Sequence, residues 1–234
     1  MVADALIYHP SISHLLRFFD TTVGRDKLMR VVQYFARFYL AYLSRTGGAK
    51  LTIDAWRVLM GQFSTARKIL RVGKPLQHVK AAATAFDNKT ADAVIRYAQV
   101  GRQLAYAAYL STDALVLLNG TKVYALKNPQ RIQRLYYKFW LAGIIFSVSG
   151  TVYKLVGLSK REASLAKQSE KDFAAIKKVK TDKANTTQQI VLDVLDSSIP
   201  LSGLQYISID DGLVGIAGIV SSLIGATAQW KATA

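Results

Sequence analysis

Five basic residues recur through one stretch of the chain in which no carboxylate balances them. Between Asp54 and Asp87 the sequence contains no acidic residue. Six Lys and Arg lie between these two residues, and the five that follow Gln62 are Arg67, Lys68, Arg71, Lys74 and Lys80. Cations without neighbouring carboxylates bind phosphate groups, whether those of lipid headgroups or those of nucleic acids. The chemistry that this stretch offers is therefore the binding of anions.

The same stretch carries aliphatic residues at helical spacing. If Gln62 to Phe86 forms one helix, most of the cations fall on one side and the aliphatic residues fall on the other. The aliphatic row is Ile69, Val72, Leu76 and Val79. Such a helix either packs its apolar side against protein, or lies among lipid headgroups with that side pushed into the acyl chains. The absence of acidic residues favours lipid.

Gly73 and Pro75 interrupt this pattern. Pro75 cannot donate a backbone hydrogen bond, and it disfavours a helical conformation at Lys74. The cationic and aliphatic sides keep their phase only if the chain kinks at this point without forming a turn.

No constellation of residues in the sequence predicts catalysis. The three histidines, His9, His14 and His78, lack the spacing that makes a metal site with nearby carboxylates. The chain has no cysteine, which removes thiolate ligands and thiol nucleophiles. Neither a phosphate-binding loop nor a nucleophile elbow is present. We therefore predict that the chain is not an enzyme and needs no cofactor or metal, and that its functional residues form a surface.

Charge and hydropathy together narrow the class of partner. The 234 residues include 31 Lys and Arg against 15 Asp and Glu, a formal net charge of +16, so the partner is expected to be negatively charged. The hydrophobic content of 51% is high for so basic a protein. These apolar residues are segregated into blocks, which favours anionic membrane lipids over nucleic acid as the partner.

Two of these blocks are candidate membrane spans. The segment Gly212 to Trp230 has no charge and would extend about 28 Å as a helix, close to the thickness of a bilayer core. The shorter segment Phe139 to Tyr153 would extend roughly 22 Å, which fits a buried core helix and a membrane span about equally. Two spans would place both termini on the same side of the membrane.

One side of the last apolar segment carries small residues at steps of three and four. They are Gly215, Gly218, Ser222 and Gly225. Small side chains let two helix backbones approach closely, so we predict that this row mediates helix–helix association.

These observations predict an all-α fold, a membrane-associated helical bundle with amphipathic N-terminal helices and one or two transmembrane helices. The predicted regions are an amphipathic N-terminal region (1–86), a helical connector (87–127), a hydrophobic helix or first span (128–158), a charged linker with a short helix (159–205) and a C-terminal transmembrane helix (206–234).

Several short segments, in order along the N-terminal third, resemble one known family. They are His9-Pro10, HLLRFFDTT, TVGRDKLMRVVQYFARF and FSTARKILRVGKP. This set is similar to the N-terminal signature of the peroxin-11 family of peroxisomal membrane proteins, in its fungal form. The similarity extends from about His9 to Phe86, with weaker agreement at the Tyr-Leu-Ser-Thr-Asp113 segment and the C-terminal apolar helix.

The resemblance implies an integral membrane protein with both termini in the cytosol, which elongates peroxisomes and promotes their proliferation and fission. It also implies self-association and cooperation with a dynamin-related GTPase. In this family the segment that matches Gln62 to Phe86 inserts into the cytosolic leaflet and bends it.

Carried over to this sequence, the five cations listed above would meet lipid phosphates, and the four aliphatic residues would wedge between acyl chains. The family has also been linked to a pore for small metabolites. That activity is the alternative to membrane elongation.

Overall fold

The computed structural model describes residues 9–167 and 172–234, and this part of the chain consists of helices and short connections without a strand. The predicted all-α fold is confirmed. The helices are α1 (Pro10–Asp20), α2 (Thr22–Thr46), α3 (Lys50–Ile69), α4 (Lys74–Asp87), α5 (Ala93–Gly120), α6 (Pro129–Lys167), α7 (Phe173–Gly203) and α8 (Asp211–Ala232).

The chain divides into two compact units. One unit comprises the chain up to Arg71 together with Ser208–Ala234, and the other comprises Val72–Ile207. The first unit therefore joins α1, α2 and α3 to the C-terminal helix α8. This division differs from the predicted regions, which placed a boundary at Phe86 and treated the C-terminal helix as a separate region.

Helix α2 is the centre of the first unit, because it packs against both α3 and α8. It turns into α3 through Gly47, whose φ of 69° lies in the left-handed region that favours glycine. Helix α8 lies antiparallel to α2. At one end Arg45 of α2 pairs with Asp210 before α8, and at the other Gln229 Nε2 donates to Thr21 Oγ1 over 3.3 Å.

Short polar residues fix where several helices begin. Thr21 Oγ1 accepts from the backbone N–H of Gly24 at the start of α2, and Asp210 Oδ1 accepts from that of Gly212 at the start of α8. Asn128 Oδ1 accepts from Arg131 in the same way, ahead of a proline in the first turn of α6. In each case a short polar side chain satisfies a backbone donor that has no partner within the helix.

The second unit is a sequential bundle in which α5 packs against α4 and α6, and α6 packs against α7. Helices α6 and α7 occupy much of the region 159–205, which was predicted as a charged linker with a short helix. Within the described residues this prediction is wrong, because α6 continues to Lys167 and α7 extends over Phe173–Gly203. Residues 168–171 of the predicted linker lie outside the described part.

Two helices are long and apolar enough to cross a membrane by length and composition. They are Pro129–Ala166, with a mean hydropathy of 1.6 over its best window, and Asp211–Ala232, with 1.5. Both leave a row of large apolar side chains exposed. On α8 the row contains Leu213, Ile216, Val220 and Leu223, and on α6 it contains Ile145, Val152 and Val156. Exposed apolar rows on such helices fit the lipid-facing sides of membrane proteins.

Candidate functional site

The basic amphipathic stretch is two helices separated by a turn. Helix α3 ends at Ile69 and α4 begins at Lys74. Pro75 lies in the first turn of α4, where its missing N–H costs nothing, whereas inside a continuous helix it would clash with the carbonyl four residues earlier. The sequence left a kink and a turn open at this point, and the structure has the turn. The boundary between the two compact units also falls here, between Arg71 and Val72.

Arg67 lies in the interior of the first unit. Its Nε donates to Asp26 Oδ1 over 3.1 Å, and one of its terminal nitrogens donates to Gln33 Oε1 over 2.6 Å. Both partners belong to α2, and Arg67 is 7% exposed. A buried carboxylate requires a partner of this kind because desolvation penalises an isolated charge. The structure therefore corrects the expectation that Arg67 meets lipid phosphates.

The other predicted cations differ in their surroundings. Arg71 Nε donates to the backbone carbonyl of Arg67 over 3.1 Å and so satisfies an orphan acceptor at the end of α3. Lys68 and Lys74 are partly buried, and Lys80 is exposed on α4. The five cations thus do not form one row.

The aliphatic residues predicted to enter the acyl chains are all exposed. In the first unit Ile69 is 58% exposed, on the same side of α3 as Leu51 and Val58. In the second unit Val72 is 54%, Leu76 78% and Val79 50% exposed. Ala83 and Phe86 continue the row along α4, and both are exposed.

Helix α4 turns its polar and small side toward α5. Ala82 is buried, and the His78 ring stacks on Tyr106 with their centroids 5.6 Å apart. His78 Nδ1 also donates to Gln103 Oε1 over 2.6 Å. The side of α4 that a soluble protein would bury is therefore the side that is exposed here. Helix α5 fixes that orientation.

The small residues of α8 serve contacts within the chain. A Cβ atom placed on Gly215 would come within 2.8 Å of Cβ of Phe38, and one on Gly218 would overlap the ring of Tyr34. One on Gly225 would meet the aliphatic part of Lys27 at 2.7 Å, and Ser222 is fully buried. These four residues thus line the side of α8 that faces α2. The close helix–helix approach that they allow is intramolecular.

Sequence reasoning missed a buried polar cluster in the second unit. Asp193 of α7 is 3% exposed, and its carboxylate accepts hydrogen bonds from Ser147 Oγ at 2.6 Å and from Gln189 Nε2 at 2.9 Å. Burial raises the pKa of Asp193 above its usual value, against the opposing effect of these two hydrogen bonds. No local spacing signals this cluster, because Ser147 and Asp193 lie 46 residues apart in the sequence.

Buried polar groups and exposed apolar rows fit a protein in a bilayer, because lipid solvates apolar side chains and excludes polar ones.

Within the described residues no group of three or more histidine and acidic side chains is arranged to hold a metal ion.

Comparison with known proteins points to one family over nearly the whole chain. The family model described as peroxisomal biogenesis factor 11 matches residues 12–230. Peroxisomal membrane protein PMP27 of Saccharomyces cerevisiae is 35% identical, with 100% of both chains covered. Peroxisomal membrane protein PMP30A of Candida boidinii is 31% identical, over 100% of this chain and 99% of its own. Peroxisomal biogenesis factor 11 of Schizosaccharomyces pombe is 25% identical over 95% of this chain. No solved structure matches the chain.

Proposed function

Because the chain belongs to the peroxisomal biogenesis factor 11 family, we propose that it is an integral protein of the peroxisomal membrane that elongates this membrane and promotes peroxisome proliferation and fission. The mechanism is insertion of apolar side chains into one leaflet. Area added to one leaflet by many copies favours curvature toward that side.

The exposed apolar row of α4 is the observation that carries this proposal. Leu76 and Val79 of α4 are exposed, as is Val72 in the turn before it, while the opposite side of the helix packs on α5. Moving each of these side chains from water into an apolar medium contributes at most about 1.5–3 kcal/mol. Ile69 at the end of α3 adds a separate apolar contact from the first unit. Such a face supports reversible insertion into a headgroup layer.

Basic residues near this face supply the attraction to anionic lipid. Lys80 lies exposed on α4, and we propose that it meets a lipid phosphate, worth about 1 kcal/mol. Lys74 adds its charge at the start of α4, and Lys68 and Arg71 add theirs separately at the end of α3 in the first unit. Arg67 has no part in this contact, because its guanidinium is held by Asp26 and Gln33.

The remaining parts of the proposal concern topology and partners. Helices α6 and α8 cross the bilayer, and both termini lie in the cytosol. Copies of the protein self-associate, and a dynamin-related GTPase completes fission at the elongated membrane.

The test is tubulation of anionic liposomes by the purified full-length protein. Leu76→Asp and Val79→Asp place a charge in the inserted row and are expected to abolish tubules, seen by negative-stain electron microscopy. Gln77→Asp makes the same change in charge away from the row and serves as the control. Tubulation by the Leu76 and Val79 variants at the level of the control would contradict the mechanism.

A second candidate function is a pore for small metabolites built from associated copies. The polar side chains inside the second unit favour it, because buried polar groups in membrane bundles often mark solute pathways. This function predicts conductance of purified protein in planar bilayers that survives Leu76→Asp. If the protein is inserted in the bilayer and no conductance is measured, the result contradicts the pore and leaves the proposed membrane elongation untouched.

A further inference from the structure

The first three turns of α6 carry three cations on one side of the helix. Arg131, Arg134 and Lys138 follow one another at steps of three and four, and all three are exposed. They lie along an open groove of about 440 Å³. The remaining side chains that line it are Asn128, Gln130 and Leu135.

The charged side chains that line the groove are all positive. No carboxylate lines it, and none of the three cations makes an ion pair with any carboxylate in the described part of the chain. Cations that stabilise a fold usually pair with acidic side chains, as Arg67 pairs with Asp26. A row of cations without such partners creates a positive potential that attracts a ligand of opposite charge.

The same side of α6 then becomes apolar. Lys138 is followed seven, fourteen and eighteen residues later by Ile145, Val152 and Val156, which are exposed. At 1.5 Å per residue, Lys138 and Ile145 are about 10 Å apart along the helix axis. A cationic groove is thus continuous with a row suited to an acyl chain, in the order in which a phospholipid presents headgroup and tail.

We infer that this side of α6 binds an anionic phospholipid, with its headgroup phosphate between Arg131, Arg134 and Lys138 and its acyl chain along Ile145 and Val152. Three cations match a headgroup with more than one negative charge. The amides of Asn128 and Gln130 add hydrogen-bonding groups suited to sugar hydroxyls, so the headgroup is a phosphorylated inositol. This site is separate from the inserted row of α4, and it rests on the proposed insertion of α6 in the membrane.

The experiment measures binding of phosphatidylinositol 4-phosphate to full-length protein in phosphatidylcholine nanodiscs by native mass spectrometry. The variant Arg131→Gln, Arg134→Gln, Lys138→Gln is expected to lower the affinity roughly 100-fold, because each cation near an anionic headgroup contributes about fivefold. The control variant Lys154→Gln, Lys160→Gln, Arg161→Gln removes the same charge from the exposed far half of α6 and is expected to keep the affinity within about twofold.

Equal losses in the two triple variants would mean diffuse attraction to a basic protein and would overturn the site. Equal affinity for soluble inositol phosphate and for the lipid would overturn the role of the apolar row. Circular dichroism checks folding. If the triple variant loses helix, each single substitution, expected to cost about fivefold, tests the same inference.

Alkaline carbonate extraction of native membranes separates this inference from the function on which it rests. Release of the wild-type protein would overturn both. Retention in the membrane, with equal lipid binding by the two triple variants, would overturn the headgroup site alone.

Discussion

The guanidinium of Arg67 and the carboxylate of Asp26 form a buried ion pair, 3.1 Å from nitrogen to oxygen, that ties α3 to α2. At most a tenth of either side chain is accessible, since their exposed fractions are 9% and 10%. Gln33 occupies a further donor of the same guanidinium. Arg67, a cation of the amphipathic stretch, therefore stabilises the packing of α3 against α2.

Arg67→Met is expected to destabilise the protein by about 3–5 kcal/mol, because it breaks a buried ion pair by removing one of its two charges. Lys80→Gln, which removes an exposed charge, should change stability by less than about 0.5 kcal/mol. Urea unfolding in detergent, followed by circular dichroism, measures both. An unchanged unfolding midpoint for Arg67→Met together with weaker liposome binding would place Arg67 at the lipid surface instead.

Gly218→Leu is expected to lower the free energy of unfolding by about 1–3 kcal/mol, because the leucine side chain would overlap the Tyr34 ring. Gly61→Ala is the matched control in the same unit. A Cβ atom there meets nothing within 4 Å, so alanine should stabilise α3 by about 0.5–1 kcal/mol. Thermal unfolding of the two variants should shift in opposite directions. Similar shifts for both would mean that α2 does not lie against this side of α8.

A disulfide between introduced cysteines tests whether α8 packs on α2 of its own chain. A Cβ atom on Gly212 lies 3.6 Å from Cβ of Ala41, within the range that a disulfide spans. Because the native chain has no cysteine, any disulfide in the variant Ala41→Cys, Gly212→Cys joins the introduced residues. We expect a cross-linked monomer, identified by mass spectrometry of the linked peptides.

The control for that pair is Ala41→Cys with Leu213→Cys, since Leu213 is exposed on the far side of α8. It should stay reduced under the same oxidant. Covalent dimers from the first pair would show that α8 meets α2 of a second copy.

Asp193→Asn should change how stability depends on pH. Burial raises the pKa of Asp193 in the folded state, so the folded protein binds this proton more tightly than the unfolded chain does. The contribution of Asp193 to stability is therefore complete below the ordinary Asp pKa of about 4. It is lost as the pH rises to the raised value.

The measurement is the difference in unfolding free energy between wild type and Asp193→Asn across this pH range. Relative to the variant, the wild-type protein should lose stability with rising pH. A constant difference would mean that Asp193 titrates as an exposed carboxylate does.

Much of the fold follows from local signals in the sequence. Thr21, Asn128 and Asp210 each mark a helix start because a short polar side chain satisfies an orphan backbone donor, and that interaction spans only three residues. The exposure of Leu76 and Val79 on one side of α4 also follows from local spacing.

The failures concern contacts that local spacing does not encode. Arg67 and Asp26 are 41 residues apart, and nothing near either residue distinguishes a buried cation from one that meets lipid. The break before Pro75 was visible as a choice between kink and turn, which tertiary packing decides. A short helix was predicted within 159–205, but the full extent of α6 and α7 was not, because many charges and few bulky apolar residues weaken a periodic signal. Lys183 Nζ of α7 donates to Glu162 of α6 over 2.6 Å, a pairing between distant charges.

The packing of α8 on α2 has a consequence for biosynthesis. The surface of α2 around Tyr34 and Phe38 is covered by α8, which is synthesised after the whole of the second unit. During translation, these aromatic rings stay exposed while the second unit is synthesised. The nascent polypeptide thus depends on chaperones or on the lipid surface itself to shield them, and a polypeptide truncated before Ser208 exposes them permanently.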